Sequence, residues 1–256
     1  MNNNRKSLFI RSYGSDVETL KKGLVWLGRL AESDPAKRKA AIAVYTKGQL
    51  SGTTIETVLG TPACKALAKG QTVGFGKATL SLITARERIY SWNGPILAAY
   101  PPKKLLDALD DVTGVTDLMV IPWTMEEIDF WVKAWSAEEL GSTAPKPERP
   151  SLDPVVVAAL KTLTDTVNLS TGITHPSDKM AALDTFRILV GHGVAYHPSA
   201  VRAWLVGQGG WSPRDADAVQ EIAQGYLDGK RFRGHGQPFW GDNIINSWRE
   251  EAAKAS

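Results

Sequence analysis

The stretch that decides the fold runs from residue 95 to residue 135: PILAAYPPKKLLDALDDVTGVTDLMVIPWTMEEIDFWVKAW. Pro95 to Tyr100 is a short aliphatic run, and Pro101-Pro102 ends it. Lys103 to Val112 then places Leu105, Leu106 and Leu109 on one helical face. Asp117 to Pro122 is almost wholly apolar, as a strand covered on both faces must be. Thr124-Met125-Glu126-Glu127 reads as a cap for a helix carrying Ile128, Trp131, Val132 and Trp135. Strand, helix, strand, helix is the signature of parallel βαβ units, which bury one sheet between two layers of helices.

The same alternation extends towards the N-terminus. Leu8 to Tyr13 reads as a strand broken by Gly14, and Ser15-Asp16-Val17-Glu18 as a capping box for a helix. That helix carries Val17, Leu20, Leu24, Leu27 and Leu30 on one face. Further strands are predicted over Ala41–Thr46 and Thr79–Thr84, with a second capping box at Thr53-Thr54-Ile55-Glu56. The pattern is weakest over 60–94.

Beyond residue 140 the sequence changes character. Residues 141–152 carry three prolines and little apolar content, the composition of a stiff, extended linker. Then Asp153-Pro154, His175-Pro176, His197-Pro198 and Ser212-Pro213 each precede an apolar-periodic segment. Proline suits the first helical turn because its missing N–H would be unpaired there anyway. Helices are therefore predicted at 154–167, 176–190, 198–208 and 213–228, with a last one over 242–254. The expected fold is α/β: a three-layer, mostly parallel sheet domain over 1–140, a linker over 141–152, and an all-helical domain over 153–256.

Composition excludes several functions. The chain has 256 residues, 43% of them hydrophobic, and a net charge of +3. Residues 1–140 carry +3 and residues 153–256 carry −1, so neither half has the bias of a dedicated nucleic-acid binder. No run approaches 18 consecutive apolar residues, so no membrane partner is expected. The single cysteine, Cys64, and the polar N-terminus make the cytoplasm the default location.

Motifs that would carry chemistry are mostly incomplete. Gly74-Phe75-Gly76-Lys77 lacks the spacing and the hydroxyl of a phosphate loop and reads as a glycine-rich turn entering a strand. The four histidines have no i, i+4 pairing, so no metal is expected, and no cofactor is indicated. Cys64, between Leu59 and Leu67, reads as a small buried hydrophobe. The 198–228 helix pair has helix-turn-helix spacing, but Asp215, Asp217 and Glu221 at its second helix would repel phosphates.

Two candidate sites remain. In open α/β sheets ligands sit beyond the carboxyl ends of strands. That rule selects Tyr13, Ser15, Thr46, Lys47, Tyr100, Trp123 and Thr124 as ligand-binding candidates. The second is the basic-aromatic segment 230–240, where Lys230, Arg231, Arg233 and Trp240 could grip single-stranded nucleic acid. A connecting loop whose aromatic residues anchor it on the core is the plainer account of that segment.

No convergent acid, base, nucleophile or metal set appears. The leading expectation is a cytoplasmic, non-catalytic interaction or regulatory protein whose helical domain packs on the sheet domain, a partner chain or a second copy. The alternatives are an α/β domain binding a nucleotide or phosphorylated small molecule, catalytically or not, and single-stranded nucleic-acid binding through 230–240.

Overall fold

The computed structural model describes residues 5–87, 89–148, 150–232, 238–241 and 243–254. The chain forms two compact units, 1–147 and 148–256.

The first unit is built on a seven-stranded sheet. Its strands are β1 (Lys6–Phe9), β2 (Lys39–Val44), β3 (Val73–Phe75), β4 (Ala78–Thr84), β5 (Ser91–Ala99), β6 (Thr113–Ile121) and β7 (Glu138–Glu139). The order is β3-β4-β2-β5-β6-β1-β7. All neighbours are parallel except β3 and β4, a hairpin in register from Val73↔Leu80 to Phe75↔Ala78. Gly76 turns that hairpin with φ +57°, a conformation only glycine adopts readily.

Five helices complete this unit: α1 (Val17–Ser33), α2 (Thr54–Leu59), α3 (Thr61–Ala68), α4 (Lys103–Asp110) and α5 (Asp129–Trp135). Leu20, Leu24 and Leu27 of α1, Ile55 of α2 and Leu67 of α3 share one apolar cluster with Ile42, Val44, Leu97, Ala99, Met119 and Ile121. Side chains alternate across a strand. The intervening Ala41, Ala43, Ile96, Ala98, Leu118 and Val120 are also fully buried, beneath the apolar faces of α4 and α5. The sheet is thus covered on both faces. Gly23 lets α1 approach closely: a Cβ there would lie 2.9 Å from Ile121 Cδ1 and Leu97 Cδ1.

A buried charge ties the second helical layer to the sheet. Arg5, at the start of the first strand's approach, pairs with Asp110 at the end of α4 at 2.7 Å, with both side chains almost wholly buried. Asp110 also accepts the indole N–H groups of Trp131 (3.2 Å) and Trp135 (3.1 Å). The Arg5 guanidinium lies 4.0 Å from the Trp135 ring centroid.

The sequence and structure differ in local detail. The first capping position is Asp16 and not Ser15: the Asp16 carboxylate accepts from the N–H groups of Glu18 and Thr19. Thr124 makes no side-chain cap, and a 3-10 turn (Met125–Glu127) precedes α5. β5 and β6 each begin four residues earlier than their apolar runs suggest.

The second unit is all helical: α6 (Pro154–Thr166), α7 (Pro176–Gly191), α8 (Pro198–Gly207), α9 (Pro213–Leu227) and α10 (Ile244–Lys254). The first four start on the prolines that mark them. Asp153, His175 and Ser212 accept backbone N–H bonds as caps, while His197 makes none. Trp211 and Trp248 are fully buried and donate to Thr164 (2.8 Å) and Thr162 (3.0 Å) of α6. The Trp240 indole donates to Thr185 (2.9 Å) and its backbone N–H to Asp184 (2.9 Å). No helix among the described residues is long and apolar enough to cross a membrane.

Two stability predictions follow from these buried polar groups. Asp110→Ala leaves Arg5 buried without its counter-charge and is expected to destabilise the first unit by about 3–5 kcal/mol. Replacing both members with hydrophobic residues (Arg5→Met with Asp110→Leu) should recover only part of that loss in denaturant unfolding followed by tryptophan fluorescence, because the indole N–H groups of Trp131 and Trp135 still lose their acceptor. Thr164→Val keeps shape but strands the Trp211 indole N–H, and should destabilise the helical unit by about 1–3 kcal/mol.

Candidate functional site

Where neighbouring strands send the chain to opposite faces of a sheet, a crevice opens at their carboxyl ends. After β2 the chain turns to α2 and α3, on the α1 face. After the adjacent β5 it turns to α4, on the other face. β6 and β1 form a second such pair, feeding α5 and α1. Above these strand ends lies a cavity of about 970 Å³.

Its lining comes from four connections: Ser15 after β1; Gln49, Gly52, Thr53, Thr54, Ile55, Glu56, Thr57 and Thr61 after β2; Tyr100 and Pro102 after β5; and Trp123 and Glu127 after β6. Trp123 and Tyr100 meet edge to face, with ring centroids 5.9 Å apart and planes at 74°. Gly14 N–H donates to the Trp123 carbonyl at 2.7 Å, joining the loops after β1 and β6. Trp123 remains 48% exposed.

Tyr100 is held in an unusual conformation. Its φ is +51°, a left-handed value that costs a non-glycine residue of order 1–3 kcal/mol. The Tyr100 N–H donates to the Ile121 carbonyl (2.7 Å), and its hydroxyl lies 3.3 Å from both the N–H and the carbonyl oxygen of Asp16. The phenol thus pins the entry to α1 while its ring forms a wall of the cavity.

The polar wall is set by capping interactions. Thr53 caps α2 by accepting from the Ile55 N–H. Glu56 accepts from the Gly52 N–H at 2.7 Å. That bond, with the Thr61 hydroxyl, holds the Glu56 carboxyl below its ordinary pKa. Asp16 is lowered chiefly by the Thr19 hydroxyl, then by the Thr19 N–H. Ser15 and Thr54 share a hydroxyl hydrogen bond of 2.6 Å. Behind α2, burial pushes the Cys64 thiol up, and Glu56 adds to the effect.

Of the seven strand-end candidates, Ser15, Tyr100 and Trp123 line this one cavity. Thr46 and Lys47 line a separate pocket of about 460 Å³ with Thr84, Arg86 and Glu87, and Lys47 pairs with Glu87 at 2.8 Å. Tyr13 is 82% exposed and lines neither, and Thr124 bonds to Glu126. Gln49, Thr53, Thr54, Glu56, Thr57, Thr61 and Glu127 went unselected. Their only signal was a run of hydroxyl and capping residues just after a strand.

In the 230–240 segment, Lys230 lies over Phe232, which packs against Tyr226, while Trp240 packs against Trp248. Phe239 is exposed. Arg231 is exposed. Arg233, and His235 beside it, lie outside the described residues. No group of His, Cys, Asp and Glu among the described residues could hold a metal ion.

Residues 152–249 match the model of a family described as a domain of unknown function, DUF1889. That stretch covers the helical unit and contains none of the strand-end cavity. No curated protein and no solved structure matches the chain significantly.

The lowered carboxyl of Asp16 gives a pH prediction with a definite sign. A depressed folded-state pKa adds stability above the ordinary value of 3.8, and that stability is lost as pH falls through the folded value. At neutral pH wild type should therefore be more stable than Asp16→Asn, which keeps a neutral cap, and Asp16→Ala should be least stable. Thermal melts of wild type and Asp16→Asn should converge as the pH drops below 3.8.

Proposed function

We propose that the α/β unit is a small-molecule-binding domain and that its ligand occupies the cavity over the carboxyl ends of β2, β5, β6 and β1. One observation carries the reading: four separate connections converge on a single cavity of about 970 Å³, with two aromatic rings and several polar side chains on its walls. Small-molecule sites are typically concave, about this size, and placed at such switch points. The strained Tyr100 adds support, because left-handed non-glycine residues concentrate where geometry serves a ligand.

This reading puts the ligand-binding alternative ahead of a pure interaction protein, with which it is compatible: a domain that binds a small molecule without altering it is a natural regulatory unit. It also separates the chosen cavity from the smaller pocket in which Lys47 pairs with Glu87.

Thermal melts of the full chain against a broad metabolite panel test it. A true ligand at 100 times its Kd should add about 2.7 kcal/mol of stability. Thr57→Trp, which fills the cavity from an exposed helical position, should abolish the shift, while Lys47→Ala should leave it intact. A shift that survives Thr57→Trp but is lost in Lys47→Ala would move the site to the other pocket. A panel with no shift would remove the reading.

A further inference from the structure

The ligand's chemical class can be read from which hydrogen-bonding groups the cavity has left to offer, an inference that rests on the cavity being the ligand site. A hydroxyl has one proton to give and two lone pairs to receive with. The Thr53 hydroxyl gives its proton to the Gln49 carbonyl at 2.7 Å, and the Thr57 hydroxyl to the Thr53 carbonyl at 3.2 Å. The Tyr100 phenol is committed to the Asp16 carbonyl, and the Thr61 hydroxyl to Glu56. Ser15 and Thr54 spend one proton on each other.

Gln49 is the complementary case. Its side-chain oxygen accepts from the N–H groups of Tyr45 (2.7 Å) and Thr46 (3.1 Å). Only its amide N–H₂ remains as a donor. Against that group, one shared hydroxyl and the Trp123 indole N–H stand the spare lone pairs of several hydroxyls and two carboxylates, Glu56 and Glu127. Among the described residues the lining includes no lysine or arginine. Lys65 and Lys22 act on Glu56 and Asp16 from outside the lining. The side chains of the wall therefore offer more acceptors than donors, and they carry negative charge.

The aromatic corner points the same way. Trp123 and Tyr100 meet edge to face with their planes at 74°, and an aromatic face that the pairing leaves open attracts a cation through its quadrupole. We propose that the cavity selects an organic cation, an amine or ammonium group seated against Trp123 and Tyr100 with Glu127 as its principal counter-charge. Glu56, already bonded twice, adds to the field without being a required contact. A phosphate would meet two carboxylates and few donors in the same place.

Three probes of one shape and different charge separate the possibilities: tryptamine, the neutral alcohol tryptophol, and indole-3-acetate. Each is titrated into the ¹⁵N-labelled full chain while following the Trp123 indole N–H signal, assigned with Trp123→Phe. Tryptamine is expected to bind at least about tenfold more tightly than tryptophol, with indole-3-acetate weakest. The preference should weaken with salt and fall to near parity in Glu127→Gln, an exposed position whose change leaves the remaining spectrum unaltered. Tryptophol or indole-3-acetate binding as tightly as tryptamine would overturn the cation assignment and leave the cavity standing as a ligand site. Failure of all three to move the Trp123 signal would overturn the cation assignment, and the thermal-melt panel then decides whether the cavity stands as a ligand site.

Discussion

Coverage of both faces of the central sheet leaves its strand ends as the places where a cavity can open. Ala41, Ala43, Ile96 and Ala98 on one face, and Ile42, Val44, Leu97 and Ala99 on the other, are sealed beneath helices. A parallel sheet packed this way has only its strand ends open to solvent. At those ends the connections diverge wherever adjacent strands feed opposite layers. The cavity lies over the two places where this happens, and every residue that lines it sits in a connection or in the helix immediately after one.

The layer formed by α4 and α5 is held by chemistry as well as by burial. Moving Arg5 and Asp110 out of water is costly, and their attraction offsets that cost only if the remaining polar valences are filled. Two indole N–H groups do so for the carboxylate, and the Ser7 hydroxyl accepts from Arg5 at 3.3 Å. Trp131, Trp135, Trp211 and Trp248 are buried with their N–H groups partnered, each acting as a large apolar filler with one directional contact. Trp123 is the counterexample: its ring stands half in solvent against a cavity, where burial cannot explain it.

Much of the fold was legible because its signals are local. Proline at the first helical position marks the starts of α6, α7, α8 and α9, and apolar runs mark β2, β5 and β6. What was missed has physical causes. β7 is two glutamates, Glu138 and Glu139, and no propensity favours such a strand; Arg11, Lys146 and pairing with β1 supply it from a distance. β3 owes its place to the hairpin turn at Gly76; the glycine-rich stretch announces the turn and the strand that follows it, while the three residues before it are too short a run to show a period. The site was half legible for the same reason. The strand-end rule locates Ser15, Tyr100 and Trp123, each in the connection that follows a strand. It cannot locate Thr57 or Thr61, because only tertiary packing brings α2 and the start of α3 back over the strand ends.

The strand-end rule also carries no information about charge, and here the capping chemistry supplies it. A helix N-terminus beside a strand end is a natural anion site because its N–H groups are free. In this chain several of those groups already have acceptors. Asp16 accepts from the N–H groups of Glu18 and Thr19 at the start of α1; Thr53 accepts from Ile55 at the start of α2, and Glu56 from Gly52 just before it. Two of these three caps are carboxylates, which neutralise the positive end of the helix dipole and then leave lone pairs directed outward. Strong N-capping, the feature that made these helices easy to find in the sequence, therefore works against an anion at the same strand ends. Location and chemistry of the site are set by different residues, and the second can be read only once hydrogen bonds are assigned donor by donor.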